Sequence, residues 1–461
     1  MKALKRTLII LAILLAFGLM GTLGGYAWYR HTHVKVDGVI YSTNTKGVDL
    51  RGQDATLDQV KALRQALPHA VVIWDIPFQG QRLPEDTQEL TVTELTMEDV
   101  EALAFLPGLT QVHAEECRDY EALLALEQQK PDCQVDFKIH LGDMALERDT
   151  DQLTLPSDCG VTAQELKDAL QYLPDLKEIF LEDPTIPAQE LYALQGEYEN
   201  ITMDWNKKFL DQVYGTDLKE LEIIGENPGT IQQLEDTLEY FPNFEKIYLD
   251  NAGYTNDELA ALREKKREQY QVIWMVYLGE GHLRTDDVGF IPSNSGWRIP
   301  NEEIVKLKYC EGLLAVDIGH TNTGNLEWVT GTPHLKYLIV GDGNVFNKDV
   351  AHLGCLKELE WLEIFNCPVT DVSSLKGCTG LKDLLLSGCY VDVTPLGEMT
   401  WLENLWLSGS GLKYAEKEYL AEHLPNTYIM SAGNGGHGHG WRNLPRYFEM
   451  RDTLGMWYMK G

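Results

Sequence analysis

Seven residues in the back half of the chain combine side-chain types that hold a partner: Tyr337, Trp361, Glu363, Phe365, Asp383, Leu385 and Trp406. Members of a group stand two apart, as in Trp361, Glu363 and Phe365, which puts them on one face of an extended strand. The groups recur at steps of 24 (Tyr337 to Trp361), 22 (Trp361 to Asp383) and 21 (Leu385 to Trp406). If each step is one strand, neighbours lie about 4.8 Å apart and the rings merge into one patch. A solvent-facing apolar cluster marks an interaction site. Its acids, Asp317, Glu363 and Asp383, favour a cationic or hydroxyl-rich partner, and sugar rings stack on aromatics.

Covalent chemistry has less to stand on. The chain has no G-x-S-x-G, H-E-x-x-H, Walker or G-x-G-x-x-G pattern and no Cys-x-x-Cys pair. His437 and His439 form an H-x-H in a glycine run, but two ligands do not make a zinc site. Acid pairs such as Glu115-Glu116 and Glu182-Asp183 suit a glycosidase or calcium only in a defined constellation, and no calcium-loop pattern accompanies them. They read as solvated surface. No cofactor and no metal is called for, and the chain reads as non-enzymatic.

The elements that must position the patch come from a 461-residue chain with 39 Lys and Arg against 71 Asp and Glu, a net charge of −32. Such a surface repels phosphate backbones and argues against nucleic acid. With 44% hydrophobic residues the chain is not disordered by composition, and its length calls for several domains or a repeat array. Eight cysteines are too few for a disulfide scaffold.

Residues 1–30 hold Lys2, Lys5, Arg6 and Arg30 and no acid, and the remainder carries 35 bases against 71 acids. The uncharged run Thr7 to Tyr29 is 23 residues long and spans about 35 Å as a helix. The flanking bases orient it with the N-terminus in the cytoplasm, and Tyr26, Trp28 and Tyr29 suit the outer interface. The expectation is a single-pass signal-anchor in the cell membrane with an extracytoplasmic body. A cleaved signal peptide ending near Gly25-Tyr26-Ala27 is the alternative, and both export the body.

From Leu313 a spacing of apolar residues at positions 1, 4 and 6 repeats five times, starting at Leu313, Leu335, Leu359, Leu381 and Leu402. Position 9 is Thr321, Gly343, Cys367, Cys389 and Ser410. This resembles the leucine-rich repeat, which places one short parallel strand in each turn of a solenoid. Cys367 and Cys389 fall where that pattern has an interior Asn or Cys and read as packed thiols. The resemblance is strong over 313–412 and weak over 90–255. It implies an α/β solenoid whose parallel strands line a concave face, with the seven residues above on that face.

The front half repeats on a longer period. Trp74, Phe137, Met203 and Trp274 stand at equivalent points of strand-like segments, at steps of 63, 66 and 71. Between them the leucine spacing returns at Leu109, Leu176, Leu218 and Phe244, several copies being preceded by helical stretches. The domain reading is 1–30 stub and anchor, 31–300 irregular strand-helix repeats, 301–425 regular repeats, and 426–461 a glycine-rich linker with an aromatic cap. A separate α/β fold for 31–300 is the alternative. The tail's helix-like Pro445 to Met459 carries Tyr447, Phe448, Leu454, Trp457 and Tyr458 and reads as a cap over the last turn. Folded into the concavity, it would instead cover the rings.

A short anchor followed by irregular and then regular repeats looks like exported repeat proteins of Gram-positive bacteria, although no C-terminal wall-sorting motif is present. That resemblance implies a cell-surface protein that binds an extracellular protein or glycan through its concave face. An exported carbohydrate-active enzyme using acidic residues, or a structural envelope protein without a soluble ligand, are the alternatives.

Overall fold

The computed structural model describes residues 29–292, 296–342, 344–432 and 440–456. All of the uncharged run Thr7 to Tyr29, where a membrane anchor is expected, lies outside these residues except Tyr29, as do His437 and His439. Among the described residues no helix is long and apolar enough to cross a membrane. The chain forms two compact units, 1–206 and 207–461. That division falls within the strand Thr202–Phe209, well before the change from irregular to regular repeats near residue 300.

In the first unit, groups of parallel strands alternate with helices and end in a hairpin. Gly47–Asp49 pairs with Val71–Ile73, and the hairpin Ile76–Phe78/Gln81–Leu83 follows. Glu89–Thr91, Gln111–His113 and Gln134–Asp136 form the next ladder, followed by the hairpin Ile139–Leu141/Met144–Leu146. Gln152–Leu155 and Glu178–Glu182 then pair with the start of Thr202–Phe209. The second unit opens the same way, with Glu220–Ile224, Lys246–Asp250 and Gln271–Leu278 parallel and Gly281–Arg284 returning antiparallel. Trp74, Phe137, Met203 and Trp274 each sit in or just after the strand that feeds a hairpin, and all four are buried.

Five of the helix starts described in these irregular turns share one local device. Thr56, Thr96, Thr162, Thr230 and Thr255 each accept a hydrogen bond from the backbone N–H three residues on, and the side-chain oxygen there accepts one from the threonine backbone N–H. This reciprocal capping box satisfies two donors that a helix start leaves open. The sequence signature is Thr followed at the third place by Gln, Asp or Glu.

The regular region is a parallel solenoid of leucine-spaced turns, in which the backs of the turns shorten to 3₁₀ segments such as Val305–Tyr309, Glu327–Gly331, Ala351–Cys355 and Ser373–Gly377. Close stacking of these backs requires glycine. A β-carbon at Gly331 would meet the Lys308 carbonyl oxygen at 2.1 Å, and one at Gly377 the Gly354 carbonyl oxygen at 2.2 Å. Opposite them runs a parallel sheet of seven strands: Gly289–Phe290, Ala315–Asp317, Tyr337–Gly341, Trp361–Phe365, Asp383–Leu385, Asn404–Trp406 and Tyr428–Met430. The register aligns Tyr337, Trp361, Asp383 and Asn404 in one row and Ile339, Glu363, Leu385 and Trp406 in the next.

Leu338, Leu362, Leu384 and Leu405 point into the solenoid and join one apolar core that runs from Phe209 to Leu424. Cys367, Cys378 and Cys389 are buried in it, and all eight cysteines are free thiols. Burial pushes the Cys378 and Cys389 thiols up to about 12, so they are packed groups and not nucleophiles.

Candidate functional site

On the other face of that sheet lies a second core. It joins Ala315, Tyr337, Ile339, Trp361, Leu385 and Trp406 from the strands with Trp441, Tyr447, Met450 and Leu454 from the tail. The tail is a 3₁₀ turn, Trp441–Asn443, and a helix, Pro445–Thr453, whose first residue is a proline that needs no amide partner there. It lies across the strands. The expectation of a cap on the last turn is thereby corrected, as is the expectation of a solvent-facing patch. Trp361 is 1% exposed, Trp406 2% and Leu385 2%; Tyr337 is buried and Phe365 half-buried. Rows of outward apolar side chains on a sheet are a surface that water does not tolerate, and a segment of the same chain closes it.

Ring contacts knit the two layers together. Trp361 lies 6.4 Å from Trp406 and 5.9 Å from Tyr447, centroid to centroid. The Arg442 guanidinium stands 5.4 Å from the Trp441 ring and 5.8 Å from Tyr447, and Arg451 stands 5.7 Å from Tyr447. Gly289 in the first strand lets the tail come close, because a β-carbon there would meet the Thr453 carbonyl oxygen at 2.4 Å.

The acids of the face do engage cations, and these belong to the tail. Arg446 donates to Asp383 Oδ2 at 2.9 Å and to Glu403 Oε2 at 2.6 Å, and its Nε lies 3.9 Å from Glu360. One guanidinium thus spans carboxylates of three neighbouring turns. Asp383 is 1% exposed. Burial raises its carboxyl above the usual range, while Asn404 and Arg446 pull it back. Glu363 accepts the Trp361 indole N–H at 2.9 Å. Burial carries it up to about 7, with Asp317 adding to the rise and Arg442 opposing it. Partly buried Asp317 is also raised by burial, against the pull of His320, Arg451 and Arg442. Tyr337 Oη donates to Glu449 Oε2 at 3.1 Å.

The arginines were the residues that sequence reasoning passed over, and their signal was legible. From 299 to 441 the chain has no arginine, and then three fall within ten residues, Arg442, Arg446 and Arg451. Residues 301–432 hold 9 bases against 18 acids, whereas 440–456 hold 3 against 2.

Elsewhere, Glu115 lines an open hollow of the first unit with Asp136, Lys138, Glu147, Arg148 and Asp149. Lys138 pairs with Glu147 at 2.9 Å and Arg148 with Glu127 at 2.8 Å, which are surface ion pairs. Among the described residues no group of three or more His, Cys, Asp or Glu is placed to hold a metal ion.

No family model matches the chain, and no curated protein matches it. Solved structures do. An internalin, InlF, from Listeria monocytogenes is 16% identical over 74% of this chain and 84% of its own, with a TM-score of 0.28. A leucine-rich-repeat protein of Leptospira interrogans is 16% identical over 71% of this chain and 91% of its own, with a TM-score of 0.27. Toll-like receptor 13 in complex with ssRNA13 is 14% identical over 79% of this chain and 53% of its own, with a TM-score of 0.20. The repeat assignment itself rests on the seven-stranded ladder and its leucine-lined interior.

Proposed function

We propose that the chain is a non-enzymatic, membrane-anchored protein of a bacterial cell surface whose regular repeats bind an extracellular protein or glycan through their strand face. The observation that carries this reading is the composition of that face: aromatic side chains in register across neighbouring strands, with Asp317, Glu363 and Asp383 set among them. A solenoid needs apolar residues on its inner row alone, so a second apolar row directs the sheet toward another polypeptide or a ring-bearing ligand. The uncharged run Thr7 to Tyr29 behind three N-terminal bases supports anchoring and export.

Two experiments test it. Protease applied to intact cells is expected to digest the body, and a body that stays protected contradicts export. The second is capture from surface extracts by the full chain, compared with a Leu385→Asp variant. Loss with the variant is expected, and equal capture by both moves the binding function off this face.

A further inference from the structure

The tail that closes the strand face is built like a ligand for it. It presents Arg442, Arg446 and Arg451 to the acids of the repeats, and Trp441, Tyr447, Met450 and Leu454 to the apolar rows between them. Arg446 alone reaches carboxylates on three successive turns, Glu360, Asp383 and Glu403. The sheet is shaped to the helix end as well, since Gly289 leaves room where Thr453 and Leu454 approach. Meanwhile the solenoid's own core of leucines lies wholly on the other side of the sheet. Two separate cores share one sheet, and only one of them needs the tail.

We propose that the strand face of the regular repeats is a receptor site for an arginine- and aromatic-bearing helical segment of a partner protein, and that residues 441–454 hold this site closed in cis until such a segment displaces them. This rests on the binding reading above and narrows it from protein or glycan to a cationic amphipathic helix. The recognition chemistry is that of the tail itself: a planar guanidinium shared among carboxylates, and a tyrosine ring packed at a tilt against tryptophan with cations over it. A partner segment must match the charge and helical spacing of Arg446, Tyr447, Met450 and Arg451, with a further cation in the place of Arg442 on the turn before the helix. Because the cis segment is present at high effective concentration, a free segment binds weakly until the tail is loosened.

The test uses the purified full-length chain in detergent and a fluorescent synthetic peptide of residues 440–456 as the probe. In the variant Arg446→Glu/Tyr447→Asp the chain's own tail is weakened while the strand face is untouched. The peptide is expected to bind this variant at least ten-fold more tightly than the wild type. A scrambled peptide of the same composition, and one with the three arginines changed to glutamate, are each expected to lose at least ten-fold. Absence of peptide binding by the variant, or equal binding of the scrambled peptide, overturns the proposal and makes the tail an ordinary part of the fold. A wild-type dimer whose tails exchange between copies, seen by light scattering and label mixing, overturns closure in cis in favour of a second copy. A clear contrast between the peptides together with a failed cell-surface capture keeps the closed site and removes the surface role. The reverse result keeps the surface role and removes the latch.

Discussion

The outward strand faces of the irregular and regular turns obey the same alternation and end in opposite states. In the irregular turns outward positions such as Glu178 and Glu182 or Glu220 and Glu222 are polar and exposed. In the regular turns the equivalent positions are Tyr337, Ile339, Trp361, Glu363, Asp383 and Leu385, all buried. One position in between shows the rule at small scale. Tyr248, outward on Lys246–Asp250, is buried, and the Arg284 guanidinium covers its ring at 4.7 Å. There one arginine covers a single aromatic, and in the regular turns a helix covers a row of them.

Breaking the covered face at its centre has the largest expected effect. Trp361→Ala is expected to cost about 3–5 kcal/mol, the range for a buried tryptophan, read from the denaturant midpoint. Glu220→Ala, at the matching position of an open strand, is expected to stay within about 0.5 kcal/mol. Equal losses would erase the distinction drawn between the two regions.

The next effect is one of pH. With the tail docked, the Glu363 carboxyl sits at about 7 against 4.5 for the free group, a difference on the order of 3 kcal/mol between its protonation states. Between those two values the docked form holds a proton that the undocked form releases, so docking strengthens as pH falls toward 4.5 and is weakest above 7. The raised carboxyls of Asp317 and Asp383 act in the same sense, opposed by Arg442, Arg446 and Arg451. A nitroxide at exposed position Asp452 is expected to be more mobile at pH 8 than at pH 5, with Glu363→Gln flattening the response. A label that becomes more mobile on acidification reverses the sign and refutes this account.

Removing the shared cation comes third. Arg446→Ala leaves Asp383 buried beside Glu403 without its counter-charge. The pair is partly open on the Arg446 side, so the expected cost is about 1–3 kcal/mol, with Arg446→Lys recovering only part because an ammonium does not bridge as a fork. Thermal melts of both variants decide it, and full recovery by lysine would reduce the contact to simple charge. The smallest effect belongs to the irregular half, where Thr162→Ala removes a capping box and is expected to cost about 1 kcal/mol, with nitroxide mobility at position 452 unchanged.

Much of this was legible in the residues. The leucine rows Leu338, Leu362, Leu384 and Leu405 lie inward as the spacing requires, because a period of two leaves a strand no other way to bury them. The same period placed Trp361, Leu385 and Trp406 on the opposite face, and they are there. What the spacing missed was their exposure. Reading Tyr447, Phe448 and Leu454 as a cap on the last turn attended to the tail's rings and passed over Arg442, Arg446 and Arg451, whose charge is what distinguishes the tail from the repeats it covers.

The division follows from range. Strand alternation, the step between turns and the threonine caps are set by residues a few places apart, so the sequence by itself determined the solenoid and assigned each side chain to a face. Whether that face meets water depends on a segment far away along the chain: Tyr337 and Glu449 are 112 residues apart and share a hydrogen bond. No local period encodes such a contact. Only the tertiary structure, weighing the burial of a row of rings and three carboxylates against the ordering of a short helix, decided that this strand face is closed.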